Sequence, residues 1–291
     1  MPEILIQNPN NMKKILLLAG ALLSLAACSE MSDDARTEPV EVTIGFSGFS
    51  YEQQGMDTRA ATAVGDYATK LDIWISDGET VTPYQQEAGQ EGFGTLSLTL
   101  NRLKEYTLYA VAHRVTSGHA TLSNGVIAFP DDKVTHSFFV SRVFTPTKGM
   151  QLDLTMSRIV SQFSFNTTDA VPDWCKTIRF TIYNVYDRWD VAGYGTHQLD
   201  RVSTFTGFTT HDGGTVTFNI YAIVTDASTN HDILVEAFEE GATEPREYHL
   251  FEDVPLRNNY RTMATGQFFT DAASSFSFKA EDWADVVDYD F

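Results

Sequence analysis

Two cysteines, seven histidines and 39 carboxylates are the side chains of this 291-residue chain that could serve as nucleophiles, ligands or proton carriers. Their spacing suits few reactions. The histidines form no His-Glu-x-x-His pair, and His113 and His119 are neither close enough for one strand face nor joined by a cysteine pair, so no metal site is expected. Gly45-Phe46-Ser47-Gly48-Phe49 is one residue short of a Gly-x-Ser-x-Gly elbow and sits in a strand pattern, not a strand-to-helix turn. No glycine-rich phosphate loop ends in Lys-Ser or Lys-Thr, and no dinucleotide fingerprint opens a βαβ unit. So many acids make carboxylate pairs inevitable, which leaves no pair informative for glycoside hydrolysis. The acidic end from Asp282 to Phe291 lacks the dense oxygen spacing of a calcium loop. The expectation is a protein that is not an enzyme and carries no cofactor.

The two cysteines read differently. Cys175, in Val-Pro-Asp-Trp-Cys-Lys, reads as a small buried apolar side chain in preference to a nucleophile. Cys28 follows Met12-Lys13-Lys14 and the run ILLLAGALLSLAA, a positive start and a short apolar stretch in the order of a secretory signal. That run is shorter than the roughly 20 residues that span a bilayer. Leu25-Ala26-Ala27-Cys28 resembles the bacterial lipobox, in which small side chains admit a peptidase and the cysteine sulfur carries a diacylglycerol thioether. An ordinary cysteine beside a conventional cleavage site is the alternative. Residues 1–27 are thus expected to be a lipoprotein signal with its true start at Met12. Palmitate-type chains on Cys28, each buried CH2 contributing about 0.8 kcal/mol, would hold the mature chain to a membrane. Residues 28–39, with Glu30, Asp33 and Asp34, form an acidic tether similar to the signal that sends some lipoproteins to the outer face of the outer membrane. With Cys28 lipidated, Cys175 has no disulfide partner.

Twenty basic residues against 39 acidic ones give a net charge of -19 and a pI near 4.6, which repels phosphate backbones and excludes nucleic acid as a partner. A 43% hydrophobic and 12% aromatic composition belongs to a folded chain, and about 150 residues per domain suggests two. From residue 40 onward the apolar pattern has period two, so the fold class is all-β. Val42, Ile44 and Phe46 would face inward on one strand, Leu71, Ile73 and Ile75 on another, and Leu96, Leu98 and Leu100 on a third. Asp77-Gly78, Asn124-Gly125 and Asp212-Gly213-Gly214 punctuate the runs as turns, and repeated strand and turn signals favour β-sandwiches. Residues 60–68 and 130–136 have room for a helical turn. A boundary near 156 separates domains at 40–156 and 157–291. Residues 184–195 read as a loop in which Tyr186, Trp189 and Tyr194 either form a contact surface for a sugar or protein, or cover the end of a sandwich.

In their order along the chain, the lipobox, Thr58-Arg59-Ala60 ahead of KLDIWISDG, the YTLYAVAH strand and the late VPLRNNYRTMATGQFF resemble the fimbrillin superfamily of type V pili. That superfamily includes stalk subunits and related anchor and tip lipoproteins. Residues 113–150 show no family pattern. The resemblance implies two tandem transthyretin-like (Greek-key) β-sandwich domains. It further implies that a trypsin-like protease cuts between Arg59 and Ala60 and removes a first strand carrying Val42, Ile44 and Phe46.

Each of those three side chains would contribute roughly 1.5–3 kcal/mol by burial, so the strand's loss opens an apolar groove with raw edges. A strand from another subunit can fill it by β-augmentation. The segment in which Phe276 and Phe278, and then Val287, Tyr289 and Phe291, alternate is either the donor or the chain's own last strand. The implied protein is a fimbrial subunit or adhesin at the cell outer membrane, with other fimbrial subunits and a host or bacterial surface ligand as partners. A surface glycan-binding lipoprotein using the aromatic loop is the alternative.

Overall fold

The computed structural model describes residues 39–47, 63–102, 104–225, 229–270 and 276–282. Cys28, Arg59, Ala60, Val287, Tyr289 and Phe291 lie outside the described residues. In chain order the strands begin with β1 (Pro39–Ser47), β2 (Lys70–Ser76), β3 (Val81–Glu87), β4 (Thr95–Asn101), β5 (Tyr106–His113), β6 (Thr121–Ser123), β7 (Val126–Ala128), β8 (Phe138–Phe144), β9 (Met150–Thr155) and β10 (Ser157–Arg158). They continue as β11 (Ser161–Thr167), β12 (Thr177–Asp190), β13 (Tyr194–Thr206), β14 (Thr217–Ala222), β15 (Thr229–Phe238), β16 (Glu247–Leu256), β17 (Tyr260–Gly266) and β18 (Phe276–Asp282). Short 3-10 turns fall at Val64–Asp66 and Pro130–Asp132, in the two stretches with room for a helical turn.

The strands form two Greek-key sandwiches. In the first, a sheet ordered β4-β1-β9 faces one ordered β10-β8-β5-β2-β3. The chain changes sheet between β3 and β4 and again between β4 and β5, as Greek-key connections require. In the second, β14-β11-β17-β18 faces β16-β15-β12-β7-β6, and β13 runs along the other flank of β12.

Alternation sets the inward faces. Val42, Ile44 and Phe46 meet Leu71, Ile73, Leu108 and Phe138 in a core drawn from residues 40–156. A second core, spanning Phe163 to Phe268, is rich in phenylalanine, with Phe165 edge-on to Phe180 at 5.5 Å.

A third apolar cluster joins the sandwiches. Trp74, Val111 and Phe139 lie on the outward face of the first sandwich's larger sheet, the face opposite Leu71, Ile73 and Leu108. Against them sit Ile127 and Phe129, and from the second sandwich Trp189 and Ile223. The short hairpin β6-β7 turns at Asn124-Gly125, whose φ values of 50° and 78° suit the left-handed positions of a tight hairpin. It then pairs with β12, Ile127 opposite Trp189. Residues 121–128 therefore come from the first half of the chain yet extend a sheet of the second sandwich.

Candidate functional site

The first strand is the centre of its sheet. β1 runs antiparallel to β4, with Val42 opposite Leu98, and parallel to β9, with Ile44 opposite Leu152. Both neighbours are outer strands, so among the described residues β1 is the one strand either of them pairs with. Val42, Ile44 and Phe46 are 1%, 0% and 6% exposed. Val40 joins them, extending the inward set by one position. On the opposite face, Gly45 lies beside β9, where a Cβ would come within 2.9 Å of Asp153 Oδ1. Taking β1 away would leave a slot one strand wide, floored by apolar side chains and flanked by two rows of unpaired backbone groups.

The segment with Phe276 and Phe278 is β18, antiparallel to β17 from Tyr260–Asp282 to Gly266–Phe276. Phe276 stacks on Phe165 at 5.6 Å and reaches the second core, whereas Phe278 is 45% exposed. Residues 276–282 thus form the outer strand beside β17.

Residues 184–195 are not a loop. They are the far end of β12, a turn at 191–193 and the start of β13. Trp189 is only 4% exposed and its ring meets Phe139 at 5.9 Å across the junction, so it offers no flat face to solvent. Tyr186 is half-buried at the same cluster, and Tyr194 alone of the three is well exposed, at 55%. Trp189 and Tyr186 anchor the long hairpin at the junction cluster, and Tyr194 takes no part in it.

Polar groups also converge at this junction. His136 is buried, and its Nε2 accepts a hydrogen bond from Arg158 Nε at 2.8 Å; Arg158 also donates to Asn259 Oδ1 at 3.1 Å. Burial first, then the charges of Arg158 and Arg114, hold His136 well below the ordinary imidazole value. The unfolded ring takes a proton near pH 6.5 while the folded ring resists it. The unfolded state therefore binds more protons, and this site's contribution is complete above that pH and lost as the pH falls. His136→Gln keeps an acceptor for Arg158 but cannot titrate. In urea denaturation, wild type is expected to lose more stability than this variant between pH 7.5 and 5; equal losses would contradict the assignment.

Sequence spacing missed one cluster. Asp72, in the middle of β2, is fully buried and accepts from His113 Nε2 at 2.8 Å, His119 Nδ1 at 2.7 Å and the Ala120 amide at 2.8 Å. The two histidines judged too far apart for one strand face thus meet on one carboxylate. Among the described residues no group of three or more His, Cys, Asp or Glu has the arrangement to hold a metal ion. Cys175 is free and buried, and burial pushes its thiol up to about 11, which removes the reactive thiolate at neutral pH. No described helix is long and apolar enough to cross a membrane.

The described residues thus form two β-sandwiches, and the leading strand β1 lies between β4 and β9, neither of which pairs with another described strand. No protein-family model matches the chain, nor does any curated protein sequence. Solved structures match in fold. A proposed cell adhesion protein of Bacteroides ovatus is 15% identical with a TM-score of 0.50, covering 85% of this chain and 98% of its own. A proposed adhesin of Bacteroides thetaiotaomicron is 8% identical with a TM-score of 0.51, covering 85% and 97%. The fimbrial anchor protein Mfa2 of Porphyromonas gingivalis, 9% identical over 84% and 98%, scores 0.49. The first two share this chain's overall fold.

Proposed function

We propose that this protein is a fimbrial subunit or adhesin, exported as an outer-membrane lipoprotein through Cys28 and assembled at the cell surface by strand exchange. Cleavage between Arg59 and Ala60 would free β1, and a strand from another subunit would take its place. The observation that supports this most is β1 itself, whose Val42, Ile44 and Phe46 are buried while it alone pairs with both β4 and β9 among the described residues. Such a strand is separable, because its removal leaves the larger sheet's hydrogen bonds intact while exposing a slot shaped for one extended segment. A replacement in the same sense must run parallel to β9 and antiparallel to β4. The alternating terminal segment that begins with Phe276 and Phe278 and continues through Val287, Tyr289 and Phe291 is the candidate donor after it leaves its own sheet.

The names of the solved neighbours support an adhesive role at the cell surface. The glycan-binding alternative draws less support, since Trp189, its intended stacking ring, is buried at the junction.

Brief trypsin treatment of the purified mature chain tests the proposal. Amino-terminal sequencing is expected to yield a new start at Ala60, and size-exclusion chromatography a series of multimers. A chain that stays monomeric after cleavage with β1 still bound would overturn the polymerising role.

A further inference from the structure

A cavity of about 370 Å3 opens at the junction between the sandwiches, within the size range of small-molecule sites. Its cause is local. β10 pairs with β8 only at Phe138 and Phe139, so among the described residues no strand covers the outer edge of β8 from Val140 onward. Ser141, Thr155 and Ser157 of the first sandwich line the opening, and Trp189 and Gly193 of the long β12-β13 hairpin line it from the second.

Two observations point to a ligand with acceptor oxygens. Trp189 is 4% exposed, yet its Nε1–H is buried with no hydrogen-bond partner among the described residues, and an indole nitrogen can only donate. A buried donor left unpaired is costly, and an oxygen in the adjoining cavity would satisfy it. The second observation is charge. The chain carries 39 acidic residues, but no Asp or Glu is among the described residues that line this cavity, whereas the buried Arg158 is. Hydrogen bonds from its Nε to His136 and from Nη1 to Asn259 fix the guanidinium in place. After burial itself, the charges of Arg158 and Arg114 hold His136 below the ordinary imidazole value, so the field here is positive.

We propose that this cavity binds a carboxylate, with the Trp189 indole N–H and the hydroxyls of Ser141, Thr155 and Ser157 donating to it and Arg158 supplying the opposite charge. A neutral sugar would meet the same donors but leave the cation's attraction unused, which favours the anion. Because the donors come from both sandwiches, the ligand would bridge them.

Proton–nitrogen NMR of the purified chain tests the site. The probes are glucuronate, N-acetylglycine as a model of a peptide's terminal carboxylate, and glucose as the uncharged control. Carboxylate is expected to shift the Trp189 indole N–H signal saturably while glucose leaves it in place, and the tighter of the two acids tells a sugar acid from a chain end. Ser141→Glu, at an exposed position, sets a like charge at the mouth and should weaken that binding about tenfold or more, the scale of one hydrogen bond to a charged group. An indole signal that neither carboxylate moves, or that glucose moves equally, overturns the proposal, as does undiminished binding by Ser141→Glu.

Discussion

Truncating Trp189 to alanine is expected to lower the unfolding free energy by about 3–5 kcal/mol, the range for deleting a large aromatic from a packed interior. The indole is 4% exposed and lies among Phe139 from the first sandwich, Ile127 from the crossover hairpin and Ile223 from the second. The cavity would open where three pieces of chain meet, so the loss should include their coupling. Calorimetry should then resolve two transitions in place of one. A loss below about 1 kcal/mol with a single transition would mean that the junction closes around the gap and that Trp189 is not its anchor.

Ile44→Asp is the second large effect. Ile44 is fully buried at the centre of β1, between Leu96 of β4 and Leu152 of β9. An aspartate there places a carboxylate in the core with no partner. The expected cost exceeds about 4 kcal/mol, from unpaired charge together with lost apolar burial. The form of the loss is informative. Because the larger sheet does not hydrogen-bond to β1, the chain should shed this strand while the second sandwich stays folded. Limited proteolysis should cut near residue 47 while fragments containing the second core survive. Protection of β1 equal to that of wild type would contradict its place in the core.

Alternation made the first sandwich's leading strands legible. β2 and β5 occur where the period-two pattern starts and stops, at Lys70–Ser76 and Tyr106–His113, because each turns one face to a continuous core. β12 was cut short for a physical reason. Its register shifts between Ile182 and Val185, with Asn184 at a φ of 58°, so the inward phase passes from Ile178, Phe180 and Ile182 to Val185, Asp187 and Trp189. A period-two reading stops at such a bulge and calls the remainder a loop.

β8 was hidden by the opposite circumstance. Phe138 faces the first core while Phe139 faces the junction, so adjacent residues are both buried and no alternation remains. β13 is an edge strand with Gln198, Asp200 and Thr204 turned to solvent, and its composition resembles that of a turn region. The Asp72 cluster depends on a crossover between elements far apart in sequence. Its one local signal is an acid in the apolar run KLDIWIS, a residue that must find donors if that strand is covered on both faces.

The exchangeable first strand is tested most directly by refilling its groove. A chain carrying a specific protease site within residues 48–62 would be cut, stripped of β1 in mild denaturant and returned to buffer with a labelled PVEVTIGFS peptide. That peptide should bind and restore the stability of the uncut chain, while the same peptide with aspartate at the Ile44 position should not. Failure of the native peptide to rebind, or equal binding by both, would show that β1 is not a replaceable part of this fold.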